Sequence, residues 1–543
     1  MKIKASYLRL FVISIIFILG LFLRLVNIQD VPPGFNADEA ALGYNAYSVL
    51  NTGKDEWGEA FPLTFKSFSD YKPGLYVYLD IPFVWLLGLN ELAVRLPSII
   101  LGSFSVILIY FLSKQFFKNE LIALSSAFLL AISPWHLHFS RGAWETNIAT
   151  FFMLLGIFAF IKGVEKQKWL YISALSMAFA MYSYQSQRLI IPVMAVFLIL
   201  FYWKKLLVKK NMGVIIFAII IIIPFISIMT SQTGLARFQG ISIFSDVGPL
   251  NRINQLRGED MDPNSFTAKF FHNKVIEYSD NFLSHYMDHF SFNFLFLNGD
   301  PLGRNKVPNT GQFYMFEIIT ILLGIYLLCR KRFSYIRILL VWILVAPVAA
   351  SLTYQTPHAL RAENMVIPLA LLSGLGLGTL IEKIWQFKMG IKYISLFLFA
   401  LIITFFVTSY LHNYYVHLPK EYALEWEHGF SKMVQYVLEN QDKYQKVVIT
   451  DRYDQAYILV LFYSKYDPAK YQQTEKTVGD NKFGFSTISA FDKYEFRPIA
   501  KEEIATNKDT LFIASKDEVN EDASQLKVIN FPNVTPVFRI FGK

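Results

Sequence analysis

The sequence has almost no cysteine and little charge. Cys329 is the only cysteine among 543 residues, so no intramolecular disulfide can form and outward-facing parts must be held by packing. Charged residues make up 17% of the chain, below the roughly 25% of typical soluble domains. Because 54% of the residues are hydrophobic, the composition excludes an ordinary soluble domain and indicates a polytopic membrane protein.

Several common functional patterns are also missing. The chain shows no P-loop, no GxGxxG fingerprint, no zinc-type cysteine spacing and no internal repeat. Its net charge of +9 would suit nucleic acid, but the basic residues cluster in short loops between apolar segments. That distribution encodes membrane topology, so we expect membrane lipids as partners and no nucleic acid.

Apolar runs long enough to cross a hydrocarbon core of roughly 30 Å predict about eleven spanning helices. They lie at 7–27, 95–117, 120–139, 146–162, 169–187, 189–203, 212–230, 313–329, 336–353, 363–381 and 391–411. A further apolar stretch, 73–90, is short and contains Asp80 and Pro82.

Lysine and arginine bias decides how 73–90 is interpreted. If this stretch does not cross and the N-terminus is inside, every strongly basic short loop lies on the inner side. If it crosses, all these loops from Lys114 onward face outward, against the bias. We therefore predict a juxtamembrane or re-entrant helix at 73–90, a cytoplasmic N-terminus and a multi-pass protein of the plasma membrane.

This topology predicts two domains. Residues 1–411 would form the membrane domain, with outer loops at 28–94, 140–145, 231–312 and 354–362. Residues 412–543 are more polar and alternate helix-like runs, such as 425–439 and 455–466, with strand-like runs, such as 446–451 and 510–514. We expect this tail to be a small extracytoplasmic α/β domain.

Asp38 and Glu39 follow the first apolar helix directly. Acids favour helix N-termini, so the pair could simply begin a juxtamembrane helix. Alternatively, two neighbouring acids at a bilayer rim suit proton abstraction or cation binding. We predict a catalytic role for both.

Tyr71 and Lys72 lie where the outer loop meets the 73–90 helix. A lysine here can snorkel without function, but a compact ammonium at headgroup level is also a good partner for a lipid phosphate. We predict that both residues bind substrate.

Two later outer loops carry further charged pairs. Arg141 and Glu145 are four residues apart and would form an ordinary i,i+4 pair if helical. His358 and Arg361 enter the membrane from outside, and an arginine at that depth requires an anionic partner. We predict Glu145 as a catalytic residue and Arg141, His358 and Arg361 as substrate-binding residues.

These motifs, in this order, resemble the GT-C superfamily of membrane glycosyltransferases, and specifically glycosyltransferase family 39. That family includes protein O-mannosyltransferases and lipid A aminoarabinose transferases. The resemblance covers about residues 1–410 and rests on NADEA at 36–40, YKPGLY at 71–76, RLPS at 95–98, SRGAWETN at 140–147 and FLFLNGDPLGRN at 294–305. This chain has Gly74 where a second proline is common and Glu145 where the family often has Asp.

The resemblance implies a GT-C fold and a sugar donor linked through phosphate to a polyprenol. Asp38 would take the proton of an acceptor hydroxyl in an inverting transfer, and Lys72, with Arg361 or Arg141, would stabilise the departing phosphate. The acceptor is a protein, a lipid or a glycan. The resemblance fixes no cofactor: Glu39 would either orient Asp38 or face a cation, so a divalent metal stays an open alternative. A transporter or flippase of lipid-linked sugars is the alternative.

Overall fold

The computed structural model describes residues 2–68, 70–230, 240–453, 455–474, 477–480, 486–519 and 525–542. Residues 231–239 of the predicted 231–312 loop lie outside this set. The helices are Lys2–Leu25, Ala37–Thr52, Leu75–Leu87, Glu91–Phe117, Glu120–Ile132, Pro134–Ser140, Glu145–Gly163, Lys168–Ser183, Gln187–Leu206, Met212–Thr230, Gly248–Glu259, Phe266–Phe271, Lys274–Asp288, Glu317–Arg330, Ile336–Val345, Val348–Ser351, Val366–Trp385, Met389–His412, Leu418–Glu421, Phe430–Asn440, Ala456–Ser464, Pro468–Gln473 and Lys501–Thr506.

Long apolar helices dominate the described residues, and the protein is a multi-pass membrane protein. Seven of these helices are long and apolar enough to cross a bilayer, and a pair bent by 54° at Ser133 would make an eighth span. The predicted spans 169–187, 313–329 and 336–353 are also helical, but their helices have fewer than 18 residues.

The helix Leu75–Leu87 occupies the ambiguous stretch 73–90. Its 13 residues extend about 20 Å at 1.5 Å per residue, less than the hydrocarbon core. Its juxtamembrane or re-entrant placement stays a prediction.

The chain forms two compact units that differ from the predicted domain boundary. The first unit contains 1–23, 101–139 and 146–410. The second contains 24–100, 140–145 and 411–543, so the first outer loop and the 140–145 loop are grouped with the C-terminal tail.

The second unit contains both sheets. Strands β1 (Thr64–Ser67) and β2 (Asp70–Pro73) form an antiparallel hairpin. The tail forms the predicted α/β domain. Its strands are β3 (Lys446–Ile449), β4 (Thr477–Asp480), β5 (Ser486–Phe491), β6 (Tyr494–Phe496), β7 (Thr510–Ala514), β8 (Lys527–Asn530) and β9 (Pro536–Phe541). They form a mixed seven-stranded sheet of order β4-β5-β6-β3-β7-β9-β8, in which β3 is parallel to β6 and β7.

In the first unit, helix Val366–Trp385 packs between Glu120–Ile132 and Glu317–Arg330. Glycines allow the backbones to approach closely: a Cβ on Gly376 would lie 1.8 Å from the carbonyl oxygen of Thr320, and one on Gly374 would lie 2.1 Å from the Ser126 Oγ. Small residues commonly mediate such contacts because apolar burial does not drive helices together in lipid.

Gly376→Ala should therefore destabilise the protein by about 1–3 kcal/mol, because a backbone atom must move to admit the methyl group. Thermal unfolding in detergent measures the effect. Gly390→Ala is the matched control, since nothing lies within 4 Å of its added Cβ. Equal melting temperatures for the two variants would contradict this close packing.

Candidate active site

The two neighbouring acids Asp38 and Glu39 lie in the first turn of helix Ala37–Thr52, which begins with a capping box. Asn36 Oδ1 accepts a hydrogen bond from the Glu39 amide at 3.0 Å, and Glu39 Oε2 accepts from the Asn36 amide and Nδ2 at 3.4 and 3.2 Å. This reciprocal pattern directs Glu39 back toward the loop.

Glu39 forms a fully buried ion pair with Arg95. Arg95 Nε lies 2.9 Å from Oε1 and Nη2 lies 3.0 Å from Oε2, and both side chains have 0% exposure. The Ala143 amide also donates to Oε1 at 2.8 Å. Glu39 therefore joins the first loop, the start of helix Glu91–Phe117 and the 140–145 loop.

Arg95 was not predicted as a site residue. Its guanidinium also donates to the carbonyl oxygens of Ile28 and Gly34, at 3.1 and 2.6 Å, and lies 5.3 Å from the centre of the Phe35 ring. Sequence reasoning could have identified Arg95, because an arginine inside an apolar segment needs an anionic partner.

Asp38 has a different environment from Glu39. Its Oδ1 accepts a hydrogen bond from Lys72 Nζ at 2.6 Å, and its side chain remains 31% exposed whereas that of Lys72 is 8% exposed. Lys72 lies on β2 opposite Phe65, with its ammonium 5.8 Å from the Phe68 ring centre. The hairpin thus holds a buried cation against a carboxylate that reaches solvent.

Tyr71 precedes Lys72 on the same strand and is half-buried. It pairs with Lys66 across the hairpin. Because side chains alternate along a strand, Tyr71 extends from the face opposite to Lys72.

Arg141 is buried among groups of the second unit. Its Nε donates to the Tyr414 hydroxyl at 3.1 Å, and Nη2 donates to the carbonyl oxygens of Val26 and Val31 at 2.8 and 2.7 Å. The guanidinium also lies 5.1 and 5.4 Å from the ring centres of Tyr414 and Tyr415, which favours cation–π attraction.

Glu145 is buried at the first position of helix Glu145–Gly163. The turn at 141–143 separates it from helix Pro134–Ser140. Arg141 and Glu145 are therefore not an i,i+4 pair on one helix.

His358 and Arg361 belong to the first unit, where segment 353–362 is held by residues 288–305. The Asp300 carboxylate accepts from the Ala359 amide at 2.5 Å and lies 3.8 Å from His358 Nδ1. Arg361, which is half-buried, donates from Nη1 to Thr353 Oγ1 at 2.7 Å.

A neutral histidine, His289, also holds the segment 353–362. His289 Nε2 accepts from the His358 amide at 3.2 Å, so its proton is on Nδ1, which donates to the His285 carbonyl oxygen at 2.8 Å. Burial lowers the pKa of His289 to about 4 and raises the pKa of Asp300 to about 6. Among the described residues, no three His, Cys, Asp or Glu side chains form a group that could hold a metal ion.

Known proteins share features with this chain. A family model described as dolichyl-phosphate-mannose-protein mannosyltransferase matches residues 72–228, and no curated protein matches. ArnT from Cupriavidus metallidurans bound to undecaprenyl phosphate is similar at TM-score 0.54 and 11% identity, over 99% of this chain and 98% of that chain.

The archaeal oligosaccharyltransferase AglB from Archaeoglobus fulgidus is similar at TM-score 0.53 and 14% identity, over 84% of this chain. This chain spans 64% of the length of that AglB chain. The chain has the GT-C fold. The GT-C fold expected from the motifs is thereby confirmed, while the roles of the site residues stay predictions.

Glu39→Gln should destabilise the GT-C fold by about 3–5 kcal/mol, because it leaves the charge of Arg95 buried without its anion. Asp38→Asn should cost less, about 1–2 kcal/mol, since that side chain is partly exposed and the amide oxygen can still accept a hydrogen bond from the buried Lys72. Thermal unfolding of both variants in detergent measures the difference. Similar losses in the two variants would contradict the separate environments of these acids.

In an Asp300→Asn variant, which removes the opposing titration of that carboxyl, the segment 353–362 should lose protection as pH falls from 6.5 to about 4. A lowered histidine pKa means that the fold favours the neutral form, so this contribution is complete above pH 6.5 and is lost as His289 takes up a proton. Asp300 acts oppositely, since its raised pKa makes the fold less stable as pH rises from 3.8 to about 6, and in the wild type the two contributions largely cancel.

Hydrogen exchange, corrected for intrinsic rates and followed in peptides covering 354–362, measures the loss. Peptides from helix Val366–Trp385 are the internal control. Protection of 354–362 in Asp300→Asn that does not change between pH 7 and pH 4 would exclude the histidine contact.

Proposed function

We propose that this protein is an inverting membrane glycosyltransferase that transfers a sugar from a polyprenyl-phosphate donor to a hydroxyl on the outer side of the plasma membrane. The observation that carries the proposal is the division of roles between the neighbouring acids. Glu39 is buried and bonded on both oxygens, whereas Asp38 is partly exposed and held by Lys72.

The reaction can be written with this chain's own residues. As the acceptor oxygen bonds to the anomeric carbon, its proton passes to the Asp38 carboxylate. The bond between that carbon and the phosphate oxygen breaks with inversion, and polyprenyl phosphate leaves with the bonding electrons. Lys72 stabilises the negative charge on the departing phosphate from beside the base.

The remaining predicted residues receive supporting roles. Glu39, as the buried partner of Arg95, orients the turn that carries Asp38. Arg141 holds the loop through its carbonyl contacts and so acts as a positioning residue. Glu145 would position acceptor or sugar hydroxyls, while Tyr71, His358 and Arg361 would contact the donor.

The comparisons support the donor class. The matching family model names a dolichyl-phosphate sugar and begins at Lys72. The ArnT structure of the same fold holds undecaprenyl phosphate. The acceptor is a protein, a lipid or a glycan.

Asp38→Asn should lower transfer by about 10²–10⁴-fold, the usual contribution of a general base. The purified protein in nanodiscs is incubated with radiolabelled polyprenyl-phosphate sugars and membrane extract, and label in the acceptor fraction is counted. Donor binding should persist, as measured by thermal shift. Asp30→Asn is the matched control, because Asp30 is an exposed acid of the same loop.

Full activity of Asp38→Asn would remove Asp38 as the base. If the wild type transfers no sugar but moves labelled donor between leaflets, the flippase alternative replaces the transferase.

A further inference from the structure

The helix Lys274–Asp288, in the long loop of the first unit, has an apolar stripe that the described residues of the chain leave exposed. Its apolar residues recur at helical spacing, yet none of its 15 residues is buried. Val275 is 77% exposed and Leu283 is 57% exposed. A stripe of this kind normally covers a core, so its exposure indicates a contact surface.

This stripe forms one wall of an open groove of about 850 Å³. Ile243, Phe244, Leu250 and Leu352 form the other walls, and Lys274 is the charged residue among those lining it. The volume lies in the range of ligand sites, roughly 300–1,000 Å³, and the lining is predominantly apolar.

The helix that forms this wall also contacts a second exposed apolar surface. Tyr286 donates a hydrogen bond to the Leu344 carbonyl oxygen at 2.8 Å, at the end of the apolar helix Ile336–Val345. Leu340 and Leu344 of that helix are themselves exposed. Exposed phenylalanines on the neighbouring helix Phe266–Phe271 extend the apolar surface.

We propose that helix Lys274–Asp288 is seated in the adjoining bilayer surface and that hydrocarbon chains of its lipids fill the groove. The helix has the strong amphipathicity of interfacial helices. Its opposite face carries Glu277, Asp280 and Asp288, so contact with hydrocarbon, and not attraction to anionic headgroups, drives the association.

This placement also constrains the segment that carries His358 and Arg361. Asp288, at the end of the helix, accepts a hydrogen bond from Thr356 Oγ1 at 3.1 Å. A helix fixed in the bilayer surface therefore sets the position of residues 353–362.

Two serines on the helix provide a matched test. Ser279 lines the groove, whereas Ser284 lies about 140° around the helix, and both are exposed. Ser279→Cys and Ser284→Cys are made in a Cys329→Ser background, labelled with bimane and reconstituted in phosphatidylcholine nanodiscs. Quenching by doxyl-labelled phosphatidylcholine and by aqueous iodide is then compared.

The label at 279 should be quenched by doxyl lipid about twofold or more above the label at 284, with the reverse order for iodide. Adding phosphatidylglycerol should leave both values unchanged. Equal iodide quenching at the two sites would overturn the proposal. Shielding of 279 that grows with protein concentration, without doxyl quenching, would assign the groove to a second copy instead.

Discussion

The buried ion pair between Arg95 and Glu39 is the interaction on which the second unit's site depends. Removing two charges from water costs several kcal/mol per ion, and only good geometry with further hydrogen bonds offsets that cost. Here the guanidinium meets both carboxylate oxygens and two backbone carbonyls, while the Ala143 amide reaches the same carboxylate. These contacts join three chain segments that are distant in sequence.

The C-terminal domain takes part in the same arrangement. The Tyr463 hydroxyl donates to Glu91 Oε1 at 2.6 Å, and Glu91 Oε2 lies 3.9 Å from Arg95 Nη1. Helix Ala456–Ser464 packs against helix Ala37–Thr52, and the rings of Phe35 and Phe462 lie 4.6 Å apart. The domain therefore supports the helix whose first turn carries Asp38.

The sequence predicted helices and strands better than it predicted contacts between residues that are distant in the chain. Apolar run length located a helix in each of the eleven predicted segments, although only seven described helices, or eight with the bent pair, have the length that crossing a bilayer requires. Asn36 and Glu39 form a readable capping signature, so the different environments of Asp38 and Glu39 were within reach of sequence reasoning. The hairpin 64–73 and strands β4 to β6 were missed because their runs are short and their pairing is not local.

Partners that are distant in the chain were beyond prediction. The link from Glu39 to Arg95 spans 56 positions, and that from Ala143 to Glu39 spans 104. Periodicity carries no information about such pairs. The contact of His289 with His358 is similar, since it depends on how the loop folds back and not on local spacing.

The hydrogen bonds that the cationic side chains already make within the protein limit which of them can bind a phosphate. Arg24, Arg95 and Arg141 are buried and donate to groups of the protein itself, respectively a hydroxyl, a carboxylate and backbone carbonyls. An arginine bound in this way must give up these bonds to meet a ligand, and the loops it holds would then lose their anchors. Lys72 is also buried, but its carboxylate partner is 31% exposed, so a phosphate that approaches Asp38 from solvent can reach the pair. The proposed phosphate contact therefore rests better on Lys72 than on Arg141.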